Sequence, residues 1–162
     1  MIFVTVGNDF RSFDRLLKRM DEIAPVLPEE VIIQRGYSKF RPVNARSFDF
    51  VSMEKAIEYI KESRLVVSHA GIGTIMLCKE YGIPMIILPR RKRFQEHIND
   101  HQIEIAGALE ERKDENIYVV YDEHRLKEKV MDVLERAARY APAGNAAKSN
   151  LIRTIREFIE KI

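Results

Sequence analysis

The chain is poor in the residues that would give its function away. Cysteine occurs once, at Cys78, so no internal disulfide framework exists and a reducing compartment is expected. Flanked by Ile75, Met76 and Leu77, that cysteine reads as a small buried hydrophobe rather than a nucleophile. Tryptophan is absent, and neither glycine nor proline is frequent enough for a low-complexity or fibrous sequence. Charge of one sign is also lacking: 27 basic and 25 acidic side chains leave a formal net charge of +2. That balance argues against a nucleic-acid partner engaging the whole surface, so any basic function is local. Long apolar runs are missing too. The opening Met-Ile-Phe-Val-Thr-Val is too short for a signal peptide, and Ile83 to Leu88 is far below the roughly 20 residues that span a bilayer.

Short apolar segments at helix-length intervals make up the rest of the 162 residues. Strands are expected at Ile2–Val6, Val31–Ile33, around Phe48–Val51, and at Leu65–Val67, Met85–Leu88 and Ile117–Val120. The periodicity predicts helices through Phe13, Leu16, Leu17 and Met20, from Ser52 as N-cap to Ile60, and over Ile72–Tyr81. Further helices are expected over Glu96–Leu109 and Glu123–Ala138, and a last amphipathic one over Ala146–Ile162. Strands alternating with helices imply a parallel sheet covered on both faces. The fold expected is α/β, a single doubly wound Rossmann-like domain over residues 1–162. Ligands of such sheets sit at the carboxyl ends of the strands, where Gly7, His69–Thr74 and the segment from Pro89 all fall.

Three groups of residues gather there. Gly71-Ile72-Gly73-Thr74 opens a helix straight after a strand, where glycines admit close backbone approach and the free N–H groups of the first turn suit a phosphate. A tight turn with no ligand is the plainer alternative. The dinucleotide fingerprint is absent, because Gly71-x-Gly73 has no third glycine, and no Gly-Lys-Ser/Thr makes a P-loop. His69 closes the strand, as a donor to phosphate or as a shaper of the turn. Next, Glu96-His97-Ile98-Asn99-Asp100-His101-Gln102 is dense in hydrogen-bonding groups. On a helix His97 and His101 would share a face, so a metal held with Asp100, a solvated helix start and the recognition of sugar hydroxyls are the three readings. Finally, Arg90-Arg91-Lys92-Arg93 is a basic loop, either plain solvated surface or a contact for phosphates, an acidic partner or anionic lipid.

Taken together, "HAGIGT" at His69, Ala70, Gly71 to Thr74, the "GIP" at Gly82 and the later "HQ" at His101 and Gln102 resemble the donor-binding half of GT-B glycosyltransferases, family 28. The match is strongest to stand-alone cytosolic subunits of two-chain UDP-sugar transferases, of the dolichol-linked N-acetylglucosamine and exopolysaccharide types. "SHAG-x-GT" and "PRR-x(4)-EH-x-NDHQ" fall on Ser68–Thr74 and Pro89–Gln102, and "VTVGNDFRSFDRLL" resembles the opening of those subunits. The resemblance implies UDP-sugar binding, with the glycine turn at the diphosphate, a helix carboxylate on the ribose, and His101 and Gln102 facing the sugar. Many members carry the ribose glutamate where this chain has Leu77, and Glu80 is the only carboxylate in that helix.

The same resemblance implies transfer with inversion to a lipid-linked acceptor, without a metal or other cofactor. No catalytic base is assigned in this chain, since in the family it belongs to the acceptor-binding half. The expected partner is therefore a membrane-associated acceptor-binding subunit, which would hold this protein at the cytoplasmic membrane face. The last helix would offer Leu151, Ile152, Ile155, Phe158, Ile159 and Ile162 on one stripe, either for that partner or for the chain's own sheet. Two other functions stay open: a non-catalytic UDP-sugar-binding regulatory subunit, and a hydrolase using a metal at His97 and His101.

Overall fold

A computed structural model describes residues 1–139. It contains six strands, β1 (Ile2–Thr5), β2 (Val31–Gln34), β3 (Arg46–Phe48), β4 (Leu65–Ser68), β5 (Met85–Ile87) and β6 (Ile117–Val119). All pair in parallel in the order β3-β2-β1-β4-β5-β6, with Ile2 opposite both Val31 and Leu65. Five helices cover the sheet: α1 (Asp14–Ile23), α2 (Met53–Glu62), α3 (Ile72–Tyr81), α4 (His101–Arg112) and α5 (Leu126–Arg139). The expected α/β doubly wound fold is therefore present. The strand order reverses between β1 and β4, which sets the crevice for a ligand at their carboxyl ends.

Strand periodicity explains the two cores. Ile2, Val4 and Val6 point to one face and pack with Phe13, Leu16, Leu17 and Met20 of α1 and with Val130 and Val133 of α5. Phe3, Val66 and Ile87 point to the other face, against Ile60, Ile75 and Cys78. A buried carboxylate, Asp21, accepts from the backbone N–H groups of Val43, Asn44 and Ala45, which pins the helix-free crossover from β2 to β3. The Ser52 hydroxyl caps α2 as expected, accepting from the Lys55 N–H.

Two element boundaries differ from expectation. The third strand comes earlier, at Arg46–Phe48, because Arg35 and Gly36 already bond Phe48 O and Asp49 O where the chain leaves the sheet. The helix expected from Glu96 begins only at His101. Lys92–Phe94 form a single 3-10 turn, and Gln95 (φ 57°) lies in the left-handed region, which a right-handed helix does not cross. Glu96 itself turns inward. Among the described residues no helix is long and apolar enough to cross a membrane. The stripe from Leu151 to Ile162 lies outside the described residues.

Candidate functional site

At the carboxyl edge, β1 leaves through Gly7 (φ 71°), where a side chain would be strained and a Cβ would come within 2.5 Å of the His69 ring. A Cβ on Gly71 would collide with the same Cε1–Nε2 edge of the ring. The imidazole is thus a wedge between two glycine turns, 9% exposed, with Nδ1 3.0 Å from the Ser68 hydroxyl. Burial, reinforced by the Arg90 charge, pushes its pKa down to about 4, so it is neutral at pH 7. This placement matches the turn-shaping alternative for His69.

The glycine turn itself is open. Gly71 is the N-cap of α3, and the first helical bond runs from Ile75 N–H to Gly71 O. The N–H groups of Ile72, Gly73 and Thr74 precede that bond and have no intrahelical partner. No atom lies within 4 Å of a Cβ built on Gly73, so the space above the turn is free. Glu80 is exposed near the far end of α3. At 1.5 Å per residue it sits about 12 Å along the axis from Ile72, and the structure does not bring it to the turn.

The second wall corrects several placements. Arg90 is 0% exposed, not a surface cation. Its guanidinium stacks 4.8 Å from the Phe13 ring and donates to Val6 O (2.7 Å), Arg11 O (2.9 Å) and Glu96 O (3.0 Å). Burial lowers its pKa, and no carboxylate forms an ion pair with it among the described residues. It is a positive charge held beneath the crevice and screened little by solvent. Glu96, a candidate for ligand contact, is instead buried and engaged: both oxygens accept from Arg15 (2.8 and 3.0 Å), and one accepts from the Arg91 N–H. Arg15 also reaches Glu123 and Pro89 O, so it fastens the whole loop to α1.

The histidines do not form the expected pair. With no helix through residue 97, His97 and His101 share no helical face. His97 Nδ1 contacts Asn99 Oδ1, and its Nε2 lies 4.0 Å from Asp9 Oδ2 on the first wall. Exposed His101 contacts Glu104, and Asp100 accepts from the Lys92 N–H. The one acidic and histidine cluster among the described residues that could hold a metal is Asp122, Glu123 and His124, which includes none of His97, Asp100 and His101, and its Glu123 is already paired to Arg15. Gln102 is 6% exposed, and its Oε1 accepts from Ala70 N–H (3.2 Å) and Arg90 N–H (2.9 Å). A groove of about 1110 Å³ lined by Pro28, Arg64, Tyr121, Met131 and Ala138 contains none of these residues.

Sequence reading missed Asp9, Arg11 and Arg15. Asp9 Oδ1 accepts from the Arg11 N–H at 2.8 Å, closing an Asx turn that the Asn-Asp-Phe-Arg string signals. Burial would raise the Asp9 pKa, but that bond and the charges of Arg90 and Arg11 outweigh it and hold the carboxyl below its ordinary range. Arg15 carries no local signal, because its partners are 81 and 108 residues away.

The chain is similar to known proteins in sequence and in fold. The model of the glycosyltransferase family 28 C-terminal domain matches residues 1–160. Human "UDP-N-acetylglucosamine transferase subunit ALG13" is 31% identical over 119 residues, 67% of this chain, and its mouse counterpart is 30% identical over 118. The chain spans about a tenth of the length of these curated relatives. Among solved structures, the NMR structure of ALG13 superposes with a TM-score of 0.59 at 18% identity, covering 94% of this chain and 93% of that one. MurG of Acinetobacter baumannii gives 0.53 at 17% identity, covering 96% of this chain and 49% of its own. With its glycine turn, its strand order and the family model matched over nearly its full length, the chain belongs to glycosyltransferase family 28 and corresponds to that family's C-terminal domain.

Proposed function

We propose that this chain is the donor-binding subunit of an inverting, two-subunit transferase that moves a sugar from a UDP-sugar to a lipid-linked acceptor. One observation carries the reading: among the described residues, the N–H groups at Ile72–Thr74 are unbonded and the buried Arg90 has no carboxylate partner, and both serve the same strand edge. Both favour an anion there, as a diphosphate requires. As the bond from the anomeric carbon to the β-phosphate oxygen breaks, charge grows on the leaving UDP. Each well-placed N–H would stabilise that charge by about 3–4 kcal/mol, without a metal. The sugar would lie toward His101 and the free end of Gln102.

The acceptor hydroxyl must also lose a proton. At this edge His69 is packed, Glu96 is ion-paired and Asp9 is bonded to Arg11. A base supplied by a second subunit fits that inventory, and the word "subunit" in the relatives' names supports it. Six of the nine exposed large hydrophobic side chains among the described residues, Phe10, Tyr37, Phe50, Met53, Phe94 and Ile98, follow strand ends at the same edge, from which an acceptor-bearing partner would approach. We place the complex at the cytoplasmic face of a membrane, where a lipid-linked acceptor resides. The engagement of His69, Glu96 and Asp9 also favours a second reading, a regulatory UDP-sugar-binding subunit. Sugar transfer by the reconstituted pair separates the two.

Calorimetry tests the shared premise. The purified chain should bind UDP. Gly73→Val, which meets no protein atom, should stay folded and lose about 2 kcal/mol or more, roughly 30-fold in affinity. Unchanged UDP affinity in the folded variant would overturn the assignment.

A further inference from the structure

The ladder between β4 and β5 ends abruptly. Its last rung is Leu88 N–H to Ser68 O at 2.9 Å. In a parallel pair the next two donors would be Ala70 N–H and Arg90 N–H, each bonding across to the other strand. Here both instead donate to one atom, Gln102 Oε1, at 3.2 and 2.9 Å. The two strands part at this point, one into the glycine turn and the other into the basic loop. A carboxamide oxygen from the first turn of α4 fills the fork. Two buried N–H groups would otherwise be orphaned where the sheet splits.

We propose that Gln102 is a positioning residue: its side-chain oxygen holds the β4–β5 fork open and so sets the angle at which the glycine turn presents its N–H groups to a diphosphate. This rests on the UDP-binding reading and adds to it. The neighbouring charge strengthens the joint, since the Arg90 whose N–H it holds sends its guanidinium to Val6 O and Arg11 O on the β1 side. One buried residue pair therefore ties the exits of β1, β4 and β5. The Gln102 NH2 group bonds no described residue and is not among the buried unpaired groups. It is therefore left free to donate to a ligand, while the oxygen at the other end of the same carboxamide holds the fork.

The test compares Gln102→Met, which keeps length and loses the acceptor, with Gln102→Glu, which keeps an acceptor and loses the donor. Amide hydrogen exchange at Ala70 and Arg90 is read together with NMR titrations of UDP and uridine. In Gln102→Met both amides should lose protection, and UDP affinity should fall about tenfold while uridine affinity holds. Gln102→Glu should restore protection at both amides. A residue that merely stabilised the fold would not change the ratio of UDP to uridine affinity. If folded Gln102→Met keeps UDP affinity and protection, the inference fails. Rapid exchange of both amides in the wild-type chain overturns it without any variant. Failure of the wild-type chain to bind UDP would instead sink the functional reading and leave the exchange result standing.

Discussion

The two walls of the crevice are built by opposite means. The wall after β4 is backbone: Gly71 makes room for the His69 ring, Gly73 faces open space, and the first turn of α3 supplies N–H groups unbonded among the described residues. The wall after β5 is side chain, yet most of its polar groups face inward. Arg90 bonds three carbonyls, Glu96 pairs with Arg15, and Gln102 Oε1 bridges two N–H groups. The difference teaches that a polar-rich motif need not be a ligand-rich one. Density of charge in sequence here marks a loop that must be fastened in a fixed shape, and only part of that charge faces the crevice.

The strongest way to break this contrast is to remove one inward group. Glu96→Ala leaves Arg15 buried without its principal partner. It should cost about 3–5 kcal/mol, read as a lower urea midpoint with an unchanged slope. Arg15 tests the same pair from the other side: burial works against its charge, yet bonding to Glu96 keeps its pKa raised.

His69, wedged between the walls, gives a pH test. Its folded pKa is about 4 against 6.5 for the free side chain, so the unfolded chain takes up the proton first. The associated stability is complete above pH 6.5 and is lost as pH falls toward 4, about 3 kcal/mol in all. Urea titrations at pH 7.5 and 4.5 should show that loss, and His69→Gln should flatten it. A wild-type stability equal at both pH values would mean that the ring is not held neutral. The same wedge separates the two glycines. Gly71→Val should destabilise the fold as well as block ligand, unlike Gly73→Val.

The smallest effects sharpen the comparison. Glu80→Ala should change stability by no more than about 0.5 kcal/mol, and UDP affinity within error, because the carboxylate is exposed and two helical turns from the N-terminal end of α3. A tenfold loss of UDP affinity would show that it reaches the ribose after all. Cys78, fully buried with its thiol pushed up to about 12 by desolvation, should resist alkylation until the chain unfolds.

Much of this could be read without the fold. Apolar strands at regular spacing specified the doubly wound sheet, because a segment such as Leu65–Val67 has no polar face to leave in water. Ser52 announced its helix, and Gly71 to Thr74 announced a strand-to-helix turn, because the start of a helix is a local demand met by particular residue types. Cys78 was legible for the same reason, from its apolar neighbours alone. What the tertiary structure alone decided is which polar groups at the carboxyl edge remain available. Glu96 and Arg15 are 81 residues apart, and Arg90 and Val6 are 84 apart. Spacing along the chain does not encode such pairs. They form because a parallel sheet brings every strand exit to one edge, where each buried charge or N–H must find its partner among neighbours that are remote in sequence.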